Sequence, residues 1–409
     1  MNTWKEELTR QVWQQLEGHS HMEETELKAV IDRVIRDASA RSYLSVEQRR
    51  QYRKELFDTF CRYDVLSDLL EDPDVTEVMV NGPDRIFVER GGCVTRYEKA
   101  FSSAERLGDL IQTIVSKVNR QVNEANPIAD ARLENGDRVN VVLPPVALNG
   151  PVLTIRRFFG TPVTMEQLIC WGSLDATAAA YLKVLVESGY NIFISGGTGS
   201  GKTTFLGALA AWIPKNQRVI TIEDSAELQL PLDNLVRLEA RPANTEQTGT
   251  VTIRDLLRTS LRMRPDRIIV GEIRSAEALD MLQAMNTGHD GSMSTGHGNS
   301  PKDMLFRMET MVLMGMQLPV SAVRRQISSA IEILIQLGRL RDGSRKVLSI
   351  QEITGMDGEE ISLHPLFTFT ETGEEDGTVQ GQLVWSGERL CRDGKLLRWG
   401  SRLPEGFGQ

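Results

Sequence analysis

A glycine-rich run that ends in Lys202 and Thr203 carries the strongest chemical signal in this sequence. The run fits the pattern G-x-x-x-x-G-K-T from Gly196 to Thr203, and it stands between the apolar stretch 190–194 and the helix-forming segment 205–212. Strand, glycine loop and helix in this order let backbone N–H groups converge on phosphate oxygens, because glycine has no Cβ to obstruct them. We therefore predict that Lys202 reaches the β- and γ-phosphates of a nucleoside triphosphate and that the Thr203 hydroxyl binds Mg²⁺.

The whole loop is expected to hold a nucleoside triphosphate with its Mg²⁺ ion. The alternative is a glycine-rich structural turn, which does not require Lys and Thr in this register or these flanking segments. The residues predicted to bind the nucleotide are Gly196, Gly197, Thr198, Gly199, Ser200, Gly201, Lys202, Thr203 and Thr204.

Two carboxylates directly follow the apolar run 218–222, which is typical of a buried strand. Because ligands bind beyond the carboxyl ends of strands in open α/β sheets, Glu223 and Asp224 are placed to act on the same nucleotide. Glu223 could hold Mg²⁺ or help to orient the attacking water. The alternative is that these acids cap a following helix.

A second acidic position follows the apolar run 267–270. Nucleotide-hydrolysing proteins usually have a Mg²⁺-binding aspartate at such a strand end, but here Gly271 occupies that place and Glu272 comes next. Glu272 is the best candidate to polarise or deprotonate water in line with the γ-phosphate, and it is also a possible Mg²⁺ ligand. The alternative is a surface glutamate paired with Arg274.

Two histidines lie in the glycine-rich stretch 287–300. Their spacing matches neither H-E-x-x-H nor a cysteine–histidine zinc signature. A histidine on such a loop can donate to the γ-phosphate and respond to its loss. We assign that role to His297 rather than His289, because the Ser-Thr pair before His297 is typical of a strand end. The alternative is that these histidines have a structural role.

Arginines form two further groups. Arg254, Arg258 and Arg262 share one helix face, which indicates either a solvated face or a subunit interface. Arg138 and Arg156 lie in the preceding domain, near strand ends. Phosphoryl transfer gains from arginines brought by a second domain, so these two are candidates to stabilise transition-state charge.

Composition restricts the class of protein. The chain of 409 residues is 40% hydrophobic and 25% charged, with a formal net charge of −9, which argues against direct nucleic-acid binding. Its four cysteines, Cys61, Cys93, Cys170 and Cys391, form no C-x-x-C pair, so no zinc knuckle or disulfide framework is indicated. We expect no secretory signal, and no apolar run approaches the roughly 18 residues that a membrane span needs.

Periodicity divides the chain into five parts. We predict a helical region over 1–60, an α+β domain over 61–158, a linker over 159–164, an α/β domain with parallel strands over 165–356 and a small β appendage over 357–409. Other expected elements are the strands 75–80, 85–89, 139–143 and 152–156, a helix over 101–118, a helix starting at Ser300-Pro301, and a hairpin turn at Asp342-Gly343.

The order of four motifs resembles that of the secretion ATPases, the motors of type II and type IV secretion and of type IV pili. The segments are G-G-T-G-S-G-K-T-T at 196–204, T-I-E-D-x-x-E-L at 221–228, R-x-R-P-D-R-I-I-V-G-E-I-R at 262–274 and T-G-H-D-G-S-M-S-T-G-H-x-N-S at 287–300. They are similar to that superfamily's Walker A, Asp-box, Walker B and His-box motifs. The resemblance implies a PAS-like α+β domain linked to a RecA-like P-loop ATPase domain.

Segments 72–84, 130–140 and 153–158 are similar to the CpaF branch, which drives Tad/Flp pilus assembly. In this branch arginines from the last two segments reach the nucleotide when the N-terminal domain closes, and the matching positions here are Arg138 and Arg156. The absence of a tetracysteine insert favours the CpaF-like or VirB-like branches.

The resemblance further implies a homohexameric ring, cytoplasmic and peripheral on the inner face of the inner membrane, that works on membrane platform proteins. Three alternatives stay open: a VirB-like motor for conjugation or effector secretion, a RecA-like nucleic-acid motor, and a scaffold that binds ATP without hydrolysing it.

Overall fold

The protein divides into two compact units, Met1–Phe158 and Phe159–Gln409. A computed structural model describes residues 2–16, 24–117, 121–133, 135–158, 162–241 and 249–407. The predicted linker spans the boundary between the units, and its residues 159–161 lie outside the described part of the chain.

The first unit begins with three helices, α1 (Asn2–Leu16), α2 (Glu24–Arg41) and α3 (Val46–Cys61), as the helical spacing at the N-terminus predicts. Their apolar faces bury one another, with Leu8, Ile31 and Leu56 fully buried. Ser45 and Gln48 form a reciprocal capping box that starts α3.

An antiparallel sheet of six strands follows, in the spatial order β3-β2-β1-β6-β5-β4. Helix α5 covers one face with Leu107, Ile111 and Ile114. The elements are a short 3-10 turn (Asp64–Leu66), α4 (Ser67–Glu71), β1 (Val75–Asn81), β2 (Ile86–Arg90), β3 (Cys93–Tyr97), α5 (Ala104–Lys117), β4 (Ile128–Arg132), β5 (Arg138–Val142) and β6 (Val152–Arg156).

The second unit is built on one nine-stranded sheet, in the order β15-β14-β13-β12-β7-β11-β10-β8-β9. Six neighbouring strands are parallel to one another, namely β12, β7, β11, β10, β8 and β9. The strands are β7 (Ile192–Gly196), β8 (Val219–Glu223), β9 (Leu235–Glu239), β10 (Arg267–Val270), β11 (Met293–His297), β12 (Ile333–Arg339), β13 (Arg345–Asp357), β14 (Glu360–Glu375) and β15 (Thr378–Trp385).

Helices cover both faces of the parallel strands, and every residue of β7, β8 and β10 is buried. This explains why these strands read as continuous apolar runs instead of alternating ones. The helices are α6 (Met165–Cys170), α7 (Ala176–Glu187), α8 (Lys202–Ala210), α9 (Ile253–Ser260), α10 (Glu277–Asn286), α11 (Pro301–Gly315), α12 (Val320–Ala330) and α13 (Gly394–Trp399).

The C-terminal strands belong to the same sheet as the phosphate loop. The predicted hairpin turn at Asp342-Gly343 is confirmed, since β12 and β13 pair antiparallel on either side of it. Strands β14 and β15 then extend the sheet at this edge instead of standing apart as an appendage. Within the described ranges, no helix has the length and apolar character required to cross a membrane.

Candidate functional site

The strand order brings the four sequence motifs to one edge of the sheet. Strands β7, β11, β10 and β8 are consecutive neighbours and parallel, so their carboxyl ends meet. The glycine loop follows β7, His297 ends β11, Glu272 follows β10, and Glu223 ends β8. Motifs that lie up to about a hundred residues apart in sequence are therefore adjacent in space, as their positions after strands predict.

The glycine loop leads into the open start of α8. Gly199 and Gly201 have φ of +72° and +87°, a left-handed conformation that favours glycine. No side chain caps α8, so the first N–H groups of this helix are available to an anion. Arg345 Nε donates to the carbonyl of Gly199 at 2.9 Å, which fixes the back of the loop to β13.

Lys202 lies inside the loop with 8% of its surface exposed. Its Nζ donates to the carbonyls of Gly196 (3.2 Å) and Gly197 (2.9 Å) and lies 3.3 Å from His297 Nδ1. Burial lowers the pKa of the Lys202 ammonium. Three acceptors thus hold the amine where phosphate oxygens are expected.

His297 connects Lys202 to Glu272. An ammonium only donates, so His297 Nδ1 is the acceptor and Nε2 carries the ring proton. Nε2 lies 2.7 Å from Glu272 Oε1, but the contact is not aligned as a hydrogen bond. Burial lowers the pKa of His297, which keeps the ring neutral at pH 7. Within the described residues, Glu272 Oε1 is a buried oxygen without a hydrogen-bond partner.

The other oxygen of Glu272 accepts a bond from Arg274 at 2.7 Å, so the pairing considered as an alternative does form. Arg274 also approaches Asp224 Oδ2 at 3.6 Å. Glu272 is half-buried and Asp224 is exposed. One polar network therefore runs from Lys202 through His297 and Glu272 to Arg274 and Asp224.

Glu223 is 3% exposed and faces backbone instead of this network. Its carboxylate accepts from the N–H groups of Glu227 (2.9 Å) and Leu228 (3.0 Å), and burial raises its pKa to about 7. A Cβ at Gly271 would lie 2.9 Å from Glu223 Cγ. Glycine in the usual aspartate position is thus explained by the space that the Glu223 side chain takes.

Two cavities flank the glycine loop. One of about 430 Å³ is bounded by Gly197, Thr198, His297 and Arg307. The other, of about 220 Å³, lies on the α8 side. Its lining includes Leu168, Trp171, Gly201, Thr204, Arg345 and Val347.

In the first unit, Arg138 and Arg156 are directly opposite each other on β5 and β6, and both are exposed. Arg132 on β4 is opposite Arg138, so three arginines form a row across the sheet. Sequence reasoning missed Arg132, although the register of β4 against β5 would have revealed it.

The remaining candidates have structural partners. His289 Nδ1 lies 3.2 Å from the carbonyl oxygen of Ala284. Arg254 and Arg258, on the helix face considered for an interface, both pair with Asp280, at 2.6 and 2.9 Å.

The residues of the loop fit a nucleotide with Mg²⁺. The buried oxygen of Glu272 lacks a hydrogen-bond partner in the described part of the chain, the amine of Lys202 is held within the loop, and the start of α8 has no side-chain cap. Oxygen ligands of this kind suit Mg²⁺. The sequence predicts Thr203, Glu272 and Glu223 as its ligands, but the buried carboxylate of Glu223 is turned to the backbone N–H groups of residues 227 and 228.

Comparisons with known proteins agree with this fold. The family model described as "Type II/IV secretion system protein" matches residues 63–371. A Mycobacterium tuberculosis protein that is named as a conjugal transfer protein is 36% identical over 335 residues, and the match covers 80% of this chain and 90% of that protein. VirB11 of Brucella suis, a type IV secretion system protein, is 33% identical over 309 residues, covering 68% of this chain and 86% of its own.

Among solved structures, the pilus retraction motor PilT with bound ADP has a TM-score of 0.52 and 20% identity, covering 74% of this chain and 82% of its own. This likeness concerns the fold, a two-domain α/β architecture. The sheet, the glycine loop and the strand-end residues define a phosphate-binding α/β protein. The chain belongs to the type II/IV secretion system ATPase family.

Proposed function

We propose that this protein is a mechanochemical ATPase that converts ATP hydrolysis into motion of its first unit. The observation that carries the proposal is the network from Lys202 through His297 to Glu272, which joins three strand ends beside an open helix start. A glycine-rich structural turn would need none of these side chains. Family membership supports the same reading.

In this mechanism Lys202 exchanges the carbonyls of Gly196 and Gly197 for phosphate oxygens when ATP binds. Burial lowers the pKa of the Lys202 ammonium. A nearby phosphate would raise this pKa again, because its negative charge favours the charged amine. Bound Mg²⁺ would supply positive charge to the phosphates, with Thr203 and an acidic residue as its protein ligands. Glu272 is the candidate for that acid, since Glu223 faces the backbone of residues 227 and 228.

Glu272 accepts the proton of the attacking water. Its Oε1 lies 2.7 Å from His297 Nε2 without an aligned hydrogen bond, so it can accept one from water when His297 turns to the phosphate. Neutral His297 keeps its Nε2 proton beside this oxygen and can donate it as a hydrogen bond to the γ-phosphate. Loss of that phosphate would return His297 to Lys202 and Glu272, which makes it a sensor.

The cavity of about 220 Å³ suits the base and ribose. Its lining combines the apolar side chains of Leu168 and Val347 with the exposed indole of Trp171. Such a surface can cover an aromatic ring.

Arg138 and Arg156 are proposed to close over the nucleotide, with Arg132 in the same row. Arg156 lies between Arg138 on β5 and Glu77 on β1, so a phosphate would add a further negative partner for the arginines of this row. Motion about the linker 159–164 would bring them in. Hydrolysis would release them, and that movement is the work passed to membrane platform proteins by a hexameric ring.

The more specific function that we propose is Tad/Flp pilus assembly, because segments 72–84, 130–140 and 153–158 are similar to the CpaF branch. A VirB-like motor is the second candidate, favoured by relatives named for conjugal transfer and VirB11. Neighbouring genes separate the two. Pilin and prepilin peptidase genes would support the first, and relaxase and coupling-protein genes the second.

The Glu272→Gln protein tests the catalytic assignment. We expect ATP binding to persist and turnover to fall by about 100-fold or more, because the amide cannot accept the proton. Nucleotide binding by fluorescence and phosphate release would measure both. Glu187→Gln, on α7 at a position whose side chain is 45% exposed, is the matched control and should keep wild-type turnover. Full activity in Glu272→Gln would refute the assignment.

A further inference from the structure

A cluster of three different metal-binding side chains lies on the second unit at the edge of the sheet opposite β9. Glu352 on β13 and His364 on β14 are directly opposite in register. Cys391 follows β15. One ligand atom from each residue lies within 4.8 Å of the others.

The hydrogen bonds around the cluster orient it. The carboxylate of Glu352 is fully buried and accepts the backbone N–H groups of Cys391 (2.7 Å) and Arg392 (2.6 Å). These bonds hold the Cys391 segment against β13. Each carboxylate oxygen keeps a further lone pair, so this anchoring leaves Glu352 able to act as a ligand.

The backbone carbonyl of Arg389 lies beside the two other side chains. His364 Nε2 lies 3.2 Å from its oxygen and Cys391 Sγ lies 3.8 Å from it. A carbonyl can only accept, so Nε2 carries the proton and the neutral ring keeps a lone pair on Nδ1. Metal-binding histidines are commonly oriented in this way by a backbone carbonyl.

We propose that Glu352, His364 and Cys391 bind one Zn²⁺ ion, with a water in the fourth position. Sulfur, nitrogen and carboxylate oxygen together suit zinc, and a hard cation such as Mg²⁺ would not select the thiolate. Binding would draw the three atoms in by about 1 Å to reach zinc distances. The Cys391 thiol gives up its proton as the Zn–S bond forms. The ion would tie the C-terminal segment to β13 and β14.

Cobalt titration of the full-length, chelator-treated protein tests the site, since Co²⁺ replaces zinc and a thiolate ligand adds a charge-transfer absorption. We expect one Co²⁺ per chain with this absorption, displaced by Zn²⁺. Cys391→Ser should abolish the absorption, and His364→Ala should weaken binding by about 10-fold or more. Cys170→Ser, another exposed cysteine, is the matched control and should behave as the wild type.

Two results would overturn the proposal: no equimolar binding by the wild type, or an undiminished thiolate absorption in Cys391→Ser. The nucleotide site lacks a cysteine, so metal bound there would not give that absorption. Circular dichroism confirms folding of each variant, and His364→Gln replaces His364→Ala if the latter does not fold.

Discussion

Burial sets the protonation of three side chains around the glycine loop. It lowers the pKa of Lys202 and of His297, and it raises the pKa of Glu223 to about 7. A neutral imidazole can accept from Lys202 through one nitrogen and keep a proton on the other, which the sensor role requires. A protonated ring could not accept from the lysine.

Glu223 should make stability depend on pH. The pKa of this carboxyl is 4.5 in the unfolded chain and about 7 in the folded one, so between these values the folded protein binds more protons. Its contribution is greatest below about pH 4.5 and is lost as the pH rises to about 7, a change of about 3 kcal/mol.

Glu223→Gln should therefore lose this part of the pH dependence. Urea unfolding at pH 5 and pH 7.5 would measure the difference, with exposed Glu405→Gln as the control. Parallel pH profiles for Glu223→Gln and the wild type would show that the carboxyl is not buried as described.

The sequence alone predicted where Lys202, Glu272 and His297 would meet, because each follows a strand and carboxyl ends of parallel strands converge. It could not predict that Glu223 turns toward the backbone of residues 227 and 228. That orientation depends on space left by Gly271, which follows the neighbouring strand β10 and is 48 positions away.

At the scale of elements, the packing of β8 against β10 depends on a missing side chain. In Gly271→Ala the new Cβ would lie 2.9 Å from Glu223 Cγ, so the strand end must shift. We expect a loss of about 1–3 kcal/mol in the free energy of unfolding and a fall in ATP turnover.

Gly108→Ala is the control for this change, since a Cβ on that face of α5 meets nothing within 4 Å. It should stabilise the protein by up to about 1 kcal/mol. Unfolding curves of both variants would measure these changes in the free energy of unfolding. A Gly271→Ala protein as stable and active as the wild type would contradict the described contact.

The arginine row allows function to be separated from stability. Arg156→Ala removes both the repulsion by Arg138 and the attraction by Glu77, which lies opposite on β1, so we expect the free energy of unfolding to change by less than about 1 kcal/mol. The same change should lower ATP turnover by about 1,000-fold if the arginine stabilises the transition state.

Exposed Arg85→Ala, in the same unit, is the matched control and should leave turnover unchanged. Phosphate release and urea unfolding of both variants would give the two quantities. A variant that loses stability and keeps its turnover would show that Arg156 serves the sheet instead of the nucleotide.

Strand prediction succeeded where burial imposes a pattern and failed elsewhere. Strands β7, β8 and β10 are buried throughout and read as apolar runs. Strand β3 is mostly exposed, and β4 reads Ile-Ala-Asp-Ala-Arg, so neither has an apolar stripe to indicate it. Their neighbours supply the backbone hydrogen bonds that define them.

In the proposed mechanism, the second unit carries out the chemistry and the first unit moves. The groups that we propose to be catalytic, at the ends of β7, β10 and β11, share one polar network within their own unit. The arginine row lies in the other unit. A ring of subunits would make closure of one unit over a nucleotide depend on its neighbours, so turnover should depend on assembly.

We would first measure ATP turnover per subunit, with Mg²⁺ and over a range of protein concentrations, and record the mass on the same samples. We expect turnover to rise cooperatively as the ring forms and to be absent in Lys202→Ala. No turnover at any concentration, or wild-type turnover in Lys202→Ala, would refute the proposed mechanism.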